Sequence, residues 1–185
     1  MLQQAGRRGG FTLVEILAVL VIIGIASAIV VPNLGTRDDL RATAAARTLV
    51  ADLIYAQNLA ISSQKTTYVK FDVANNCYKL LSTASSGGDV IMSHPMTQLS
   101  YVQTFGSSSK NLESVTLYSA TFNGVDTANY VNDYTLAFDE MGAPYAYDYT
   151  KNDKSDLKDG TIVIKSGSFT TTVTISPYTG EISVN

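Results

Sequence analysis

The chain has 185 residues and a formal net charge of −3; removing the +2 of Arg7 and Arg8, the only charges in residues 1–10, leaves −5 for the remainder. That balance argues against nucleic-acid binding founded on bulk positive charge. The single cysteine, Cys77, excludes an intrachain disulfide, and the length suits one apolar segment plus one soluble domain of ordinary size.

The first element is an almost uninterrupted apolar run from Phe11 to Val31. About 20 apolar residues match the ~30 Å hydrocarbon core of a bilayer. Arg7 and Arg8 precede the run, whereas Arg37, Asp38, Asp39 and Arg41 beyond it cancel one another. The positive-inside bias then keeps the N-terminus in the cytoplasm and sends the rest of the chain across. One carboxylate, Glu15, interrupts the run close to its start. A charge at the centre of a membrane helix costs roughly 2.5–3.5 kcal/mol, so such a group is a functional suspect. A cleavable secretory signal would use Ala26-Ser27-Ala28 as its small-x-small site, but the apolar text continues past it. A plain signal anchor accounts for the length and leaves Glu15 without a purpose.

The stretch Gly9-Gly10-Phe11-Thr12-Leu13-Val14-Glu15 resembles the processing site of type IV prepilins: a short basic leader ending in glycine, an aromatic residue, and a lone glutamate ahead of a long apolar run. The resemblance implies cleavage between Gly10 and Phe11 by prepilin peptidase, and methylation of the new amine of Phe11. It also implies that Glu15 of one subunit pairs with the Phe11 amine of a neighbour as helices gather into a filament. The physics agrees, because an opposite charge relieves a carboxylate held in low dielectric. Snorkelling of Glu15 to the interface is the simpler alternative. Further along, Gly24 and Pro32 weaken the helix, through backbone freedom and a missing hydrogen bond. Both residues are also tolerated in ordinary membrane helices.

After Gly35 a helical period resumes, with Ala46, Leu49, Val50, Leu53, Ala56, Gln57 and Ala60 on one stripe and Arg41, Arg47 and Asp52 away from it. Thr36 suits an N-cap, and Asp38 and Asp39 suit the first turn. The small residues Ala42 to Ala46 suggest close packing against neighbouring helices. We therefore expect one long, interrupted helix whose second half needs a sheet to cover its stripe.

From Thr66 the period becomes two. Residues 66–73 and 77–83 flank Ala74-Asn75-Asn76 and read as a hairpin. Residues 114–122 and 134–145 read as further strands, with Asn123-Gly124 and Met141-Gly142 as turns. Residues 160–184 are the clearest, with Phe169, Thr171, Val173 and Ile175 on one face and turns at Ser166-Gly167 and Tyr178-Thr179-Gly180. An antiparallel sheet of five or more strands against one helix follows. Ser82 to Lys110 reads as exposed loop with two extra strands, in 89–93 and 99–105.

Phe138, Gly142, Gly160, Ile162 and the terminal Thr179-Gly180-Glu181-Ile182 resemble the GspH/FimT branch of pseudopilins. That resemblance implies a pilin-like α+β fold with a leader at 1–10, a transmembrane and assembly helix at 11–34, and a periplasmic domain at 35–185. It implies a minor pseudopilin of a type II secretion pseudopilus, held in the inner membrane and acting in protein export. Its partners would be other pseudopilins, prepilin peptidase and the inner-membrane assembly platform. The alternative is a FimT-like minor type IV pilin, serving pilus assembly or DNA uptake. Against DNA, the tail carries Glu181 where a base would help, and no arginine follows Arg47.

Catalytic chemistry has little to stand on, and no cofactor is expected. His94 is the only histidine, so a zinc site or a nucleophile–base pair lacks its parts. Cys77 reads as a small buried or edge residue. Asp148, Asn152, Asp153, Asp156 and Asp159 offer calcium-type ligands, but lysines interleave them and the spacing matches no EF-hand. A solvated hairpin loop is the default there.

Overall fold

The computed structural model describes residues 10–33, 37–84, 87–106, 112–125, 134–148 and 151–185; for 29–33 it gives the backbone only. The chain divides into two units, residues 1–36 and residues 37–185. The first contains α1, Leu13–Asn33. Every side chain described in α1 is exposed, as expected of a helix apolar on all sides.

In the second unit, α2 spans Asp38–Ser63 and buries Ala42, Ala45, Ala46, Leu49, Leu53, Ala56 and Ala60. This is the predicted stripe, extended by one turn. The alanines were expected to meet neighbouring helices. Instead Ala42, Ala45 and Ala46 are fully buried within the unit, where a short side chain lets the helix approach the sheet. Asp38 and Asp39 occupy the first turn, but Arg37 takes the cap position without a side-chain bond, and Thr36 lies outside the described residues. The helix ends at Gln64 in a left-handed conformation.

Ten strands follow among the described residues: β1 Thr67–Asp72, β2 Cys77–Thr83, β3 Val90–Ile91, β4 Val102–Thr104, β5 Val115–Gly124, β6 Thr135–Phe138, β7 Pro144–Asp148, β8 Asp153–Ser166, β9 Phe169–Ile175 and β10 Ile182–Val184. All pairings are antiparallel, in the order β10-β9-β8-β7-β6-β1-β2-β3, with β4 also on β2 and β5 also on β8. The long β8 joins two sheets. Asp153 to Asp156 pair with β7, while Leu157 to Ser166 pair with β5 on one edge, and Gly160 to Ser166 with β9 on the other.

The hairpin of β1 and β2 turns at residues 73–76 as expected, and β3 and β4 are the two extra strands of the middle segment. Two expectations fail. Asn123-Gly124 is not a turn: both residues remain paired, to Asp159 and Leu157 of β8. Nor is the acidic run a loop, since Asp153, Asp156 and Asp159 lie in β8 and Asp148 closes β7. Aspartate is a poor strand former, but Asp153 and Asp156 are paired to β7 and Asp159 to β5, and pairing outweighs propensity.

One core lies between α2 and the sheets, built on Leu49, Leu53, Val69, Phe71, Tyr78, Leu80, Phe138, Ile162, Ile164 and Val173. A smaller one, with Leu81, Ala137 and Tyr147, sits apart from it, and Tyr68 packs edge-on against Tyr147 at 4.8 Å. Gln57 of α2 ties two turns to the helix, since its Nε2 donates to the carbonyl oxygens of Gly142 (2.8 Å) and Thr179 (3.5 Å). Gly142 and Gly180 sit at φ +82° and +65°, and an added Cβ would meet Ile61 at 2.8 Å and Gln57 at 2.6 Å respectively. Two of the resemblance-bearing glycines are therefore required by backbone angle and by space.

Candidate assembly helix and the polar cluster of the folded unit

The residues singled out at the N-terminus come together at the start of α1. Thr12 precedes the helix, and its Oγ1 accepts from the backbone N–H of Glu15 at 3.2 Å. In return Glu15 Oε2 accepts from the N–H of Thr12 at 3.4 Å. This reciprocal pair is a capping box, which satisfies two amides that a helix start otherwise leaves open. The signal Thr-x-x-Glu ahead of an apolar run was legible in the sequence, and our reading passed over it. Gly10 and Phe11 are exposed beside the box, Phe11 by 81 %. Gly24 has open space around it and α1 continues through it; Pro32 falls within the last turn, its side chain outside the described residues. The side chains of α1 are described only as far as Ala28, and among the described residues no helix is long and apolar enough to cross a membrane.

In the folded unit the titratable groups gather at Asp52, which the sequence placed away from the apolar stripe. It is half-buried, and its carboxylate accepts from Tyr78 Oη at 2.5 Å and from Tyr101 Oη at 3.0 Å. Burial raises the Asp52 carboxyl above the usual range, and the two tyrosine bonds and nearby His94 oppose that shift. Both tyrosine hydroxyls are raised in turn, by burial first and then by the charge of Asp52. Nothing in the spacing of residues 52, 78 and 101 announces this cluster, because α2, β2 and the segment before β4 meet only in the fold.

His94 has a structural task. Its Nδ1 accepts from the N–H groups of Met96 (3.2 Å) and Thr97 (3.4 Å), and its ring lies 4.6 Å from that of Tyr101. It thus closes the tip of a small hairpin from Met92 to Tyr101, bridged at Ser93 and Ser100. Cys77 is buried at the start of β2, and burial pushes its thiol up, away from the reactive thiolate. Among the described residues no group of three or more histidines, cysteines and carboxylates could hold a metal ion. Three lysines of the C-terminal half have local partners: Lys151 pairs with Asp148 at 3.4 Å, Lys154 lies over the Tyr145 ring, and Lys165 over that of Tyr118.

Residues 6–31 match the family model described as the prokaryotic N-terminal methylation motif. Two solved structures of the minor pseudopilin EpsH, from the type II secretion system of Vibrio cholerae, are similar in fold. One has a TM-score of 0.51 at 15% identity, covering 78% of this chain and 96% of that one. The other has a TM-score of 0.53 at 16% identity, covering 80% and 95%. No curated protein sequence matches the chain. An N-terminal methylation motif and the fold of a minor pseudopilin thus occur together in one polypeptide.

Proposed function

We propose that this chain is a minor pseudopilin, a structural subunit of a type II secretion pseudopilus. The observation that carries the reading is the methylation motif at the head of an apolar helix, followed by a pilin-like α+β domain. In this reading prepilin peptidase cuts between Gly10 and Phe11 and the new amine of Phe11 is methylated. The inner membrane holds α1, the sheet domain lies in the periplasm, and other pseudopilins and an assembly platform draw the helix from lipid into a filament. Gly24 and Pro32 lower the cost of loosening the helix on that transfer.

Glu15 has two tasks in sequence. In the separate subunit it closes the capping box with Thr12, which lowers the cost of its charge near the helix start. In the filament it faces the Phe11 amine of the next subunit. One substitution separates the two. Glutamine completes a capping box as glutamate does, but carries no charge. Glu15→Gln should therefore leave the start of α1 helical and strongly reduce incorporation into filaments. Incorporation equal to the parent would remove the intersubunit pairing. The reading as a whole is tested by the mass of the mature protein isolated from cells. The expected product lacks residues 1–10 and carries one added methyl group. An intact N-terminus, or cleavage after Ala28, overturns it.

A further inference from the structure

The face of the β1–β2 hairpin turned away from α2 carries two lysines side by side. In β1 Val69 and Phe71 belong to the main core, so Tyr68, Lys70 and Asp72 face the other way. The register sets Lys70 directly opposite Lys79 of β2. Like charges in that relation repel and weaken a strand pair. Lys70 is answered by Asp89, 3.0 Å away. Lys79 is half-buried, and on its other side β4 sets Val102 against it. The carboxylate diagonal to it, Asp72, is turned to the hairpin loop, where it accepts from the N–H of Asn75 at 3.0 Å and from its Nδ2 at 2.7 Å. Among the described residues Lys79 therefore forms no ion pair. Both lysines line a cavity of about 390 Å³. That size falls within the ~300–1,000 Å³ of small-ligand sites. Val73, Ala74 and Tyr134 line it too, and Tyr134 is held to β1 by its carbonyl, which accepts from the N–H of Phe71 at 2.8 Å.

We infer that this cavity binds an organic monocarboxylate, its carboxylate on Lys79 and its apolar body against Val73, Ala74 and the lysine stems. One negative charge is the number that fits. Lys70 is already matched by Asp89, and Asp72 at the wall opposes a dianion such as phosphate. The methylene stems of the lysines give apolar contact while their ammonium groups mark the polar end. A bound carboxylate gains a charge-assisted bond and relieves the repulsion between Lys70 and Lys79. The cavity lies wholly within the folded unit, so its occupancy is independent of α1 and of any processing there.

The test uses the full chain in zwitterionic micelles, with hydrocinnamate as the probe and the backbone amides of Lys70, Asp72, Val73 and Lys79 as the readout. Saturable shifts are expected there, with binding at least about tenfold weaker in Lys79→Gln and in Lys79→Met, which keeps an apolar stem. Neither variant should disturb amides elsewhere, since each ends a repulsion. Neutral hydrocinnamide should bind at least about tenfold more weakly than the acid, and inorganic phosphate should not displace it. A capped peptide with glutamate beside phenylalanine separates the sources of the carboxylate. Affinity equal to that of hydrocinnamate assigns it to a protein side chain, and weaker affinity to a free acid. The inference is overturned if hydrocinnamate gives no saturable shift at these amides, if both Lys79 variants bind it like the parent, if the amide binds like the acid, or if phosphate displaces the acid. It is overturned equally if the Lys79 amide shifts with protein concentration when no acid is present, since a second copy then fills the cavity.

Discussion

Asp52 carries its charge into a half-buried site where two tyrosine hydroxyls meet it. Because its folded pKa lies above the unfolded value, the folded protein binds the proton more tightly. Asp52 thus adds stability as pH falls through its raised pKa toward 3.8, and that gain is absent at neutral pH. Asp52→Asn removes the charge, keeps an acceptor oxygen for one hydroxyl and sets an NH2 donor against the other, which can accept from it. Urea midpoints measured from about pH 7 down to about pH 4 should show a flatter slope on this count than the parent, with no loss at neutral pH. Tyr78→Phe should act in the opposite sense, costing about 1–3 kcal/mol at neutral pH because the carboxylate loses a buried donor. None of this was legible beforehand, since 26 and 49 residues separate Asp52 from Tyr78 and Tyr101. The N-terminal methylation motif was legible because its spacing is local. Even there the Thr12–Glu15 box went unread, although its spacing was in plain view.

At the level of single elements, the periods of the sequence carried most of α2, β1, β2 and β9. They faltered on β5, where the inward set Val115 and Leu117 continues as Ala120 and Phe122. An extra residue at Tyr118 changes the phase: Leu117 pairs with Ile164 but Ser119 with Val163, so Tyr118 bulges outward beneath Lys165. An alternation count cannot anticipate such a step without knowing the partner strand. The capping box makes its own prediction for α1. Thr12→Ala should cost the helix about 1 kcal/mol, read as faster amide exchange at Leu13 to Ile16 in micelles, while the charge of Glu15 remains. At the turn between β6 and β7, Gly142→Ala meets both a left-handed φ and Ile61. It should destabilise the folded unit by about 1–3 kcal/mol in denaturant titration.

At the scale of residues 37–185, β8 makes one body of two sheets. A strand paired to β7 over its first part, and to β5 and β9 over the rest, leaves neither sheet free to melt alone. Val163 pairs with Ser119 and Thr172 in the part of that strand held on both edges. Val163→Pro should cost about 3 kcal/mol or more. Protection of β7 amides in hydrogen exchange should then fall together with that of β9. Loss of protection in β9 alone would show that the sheets open separately. The sequence foretold a helix against an antiparallel sheet but not the shared strand. Its aspartates have the composition of solvated loop, and only their pairing, to β7 and then to β5, makes them extended.

The hairpin from Met92 to Tyr101 has a practical use. Its tip is held by His94, which accepts from the N–H groups of Met96 and Thr97, and by the Tyr101 ring, while Met96 itself is 87% exposed. An epitope or a small dye-binding tag inserted after Met96 should therefore leave expression and melting behaviour close to those of the parent, since it disturbs no buried backbone. That would give microscopists a visible marker on the globular domain.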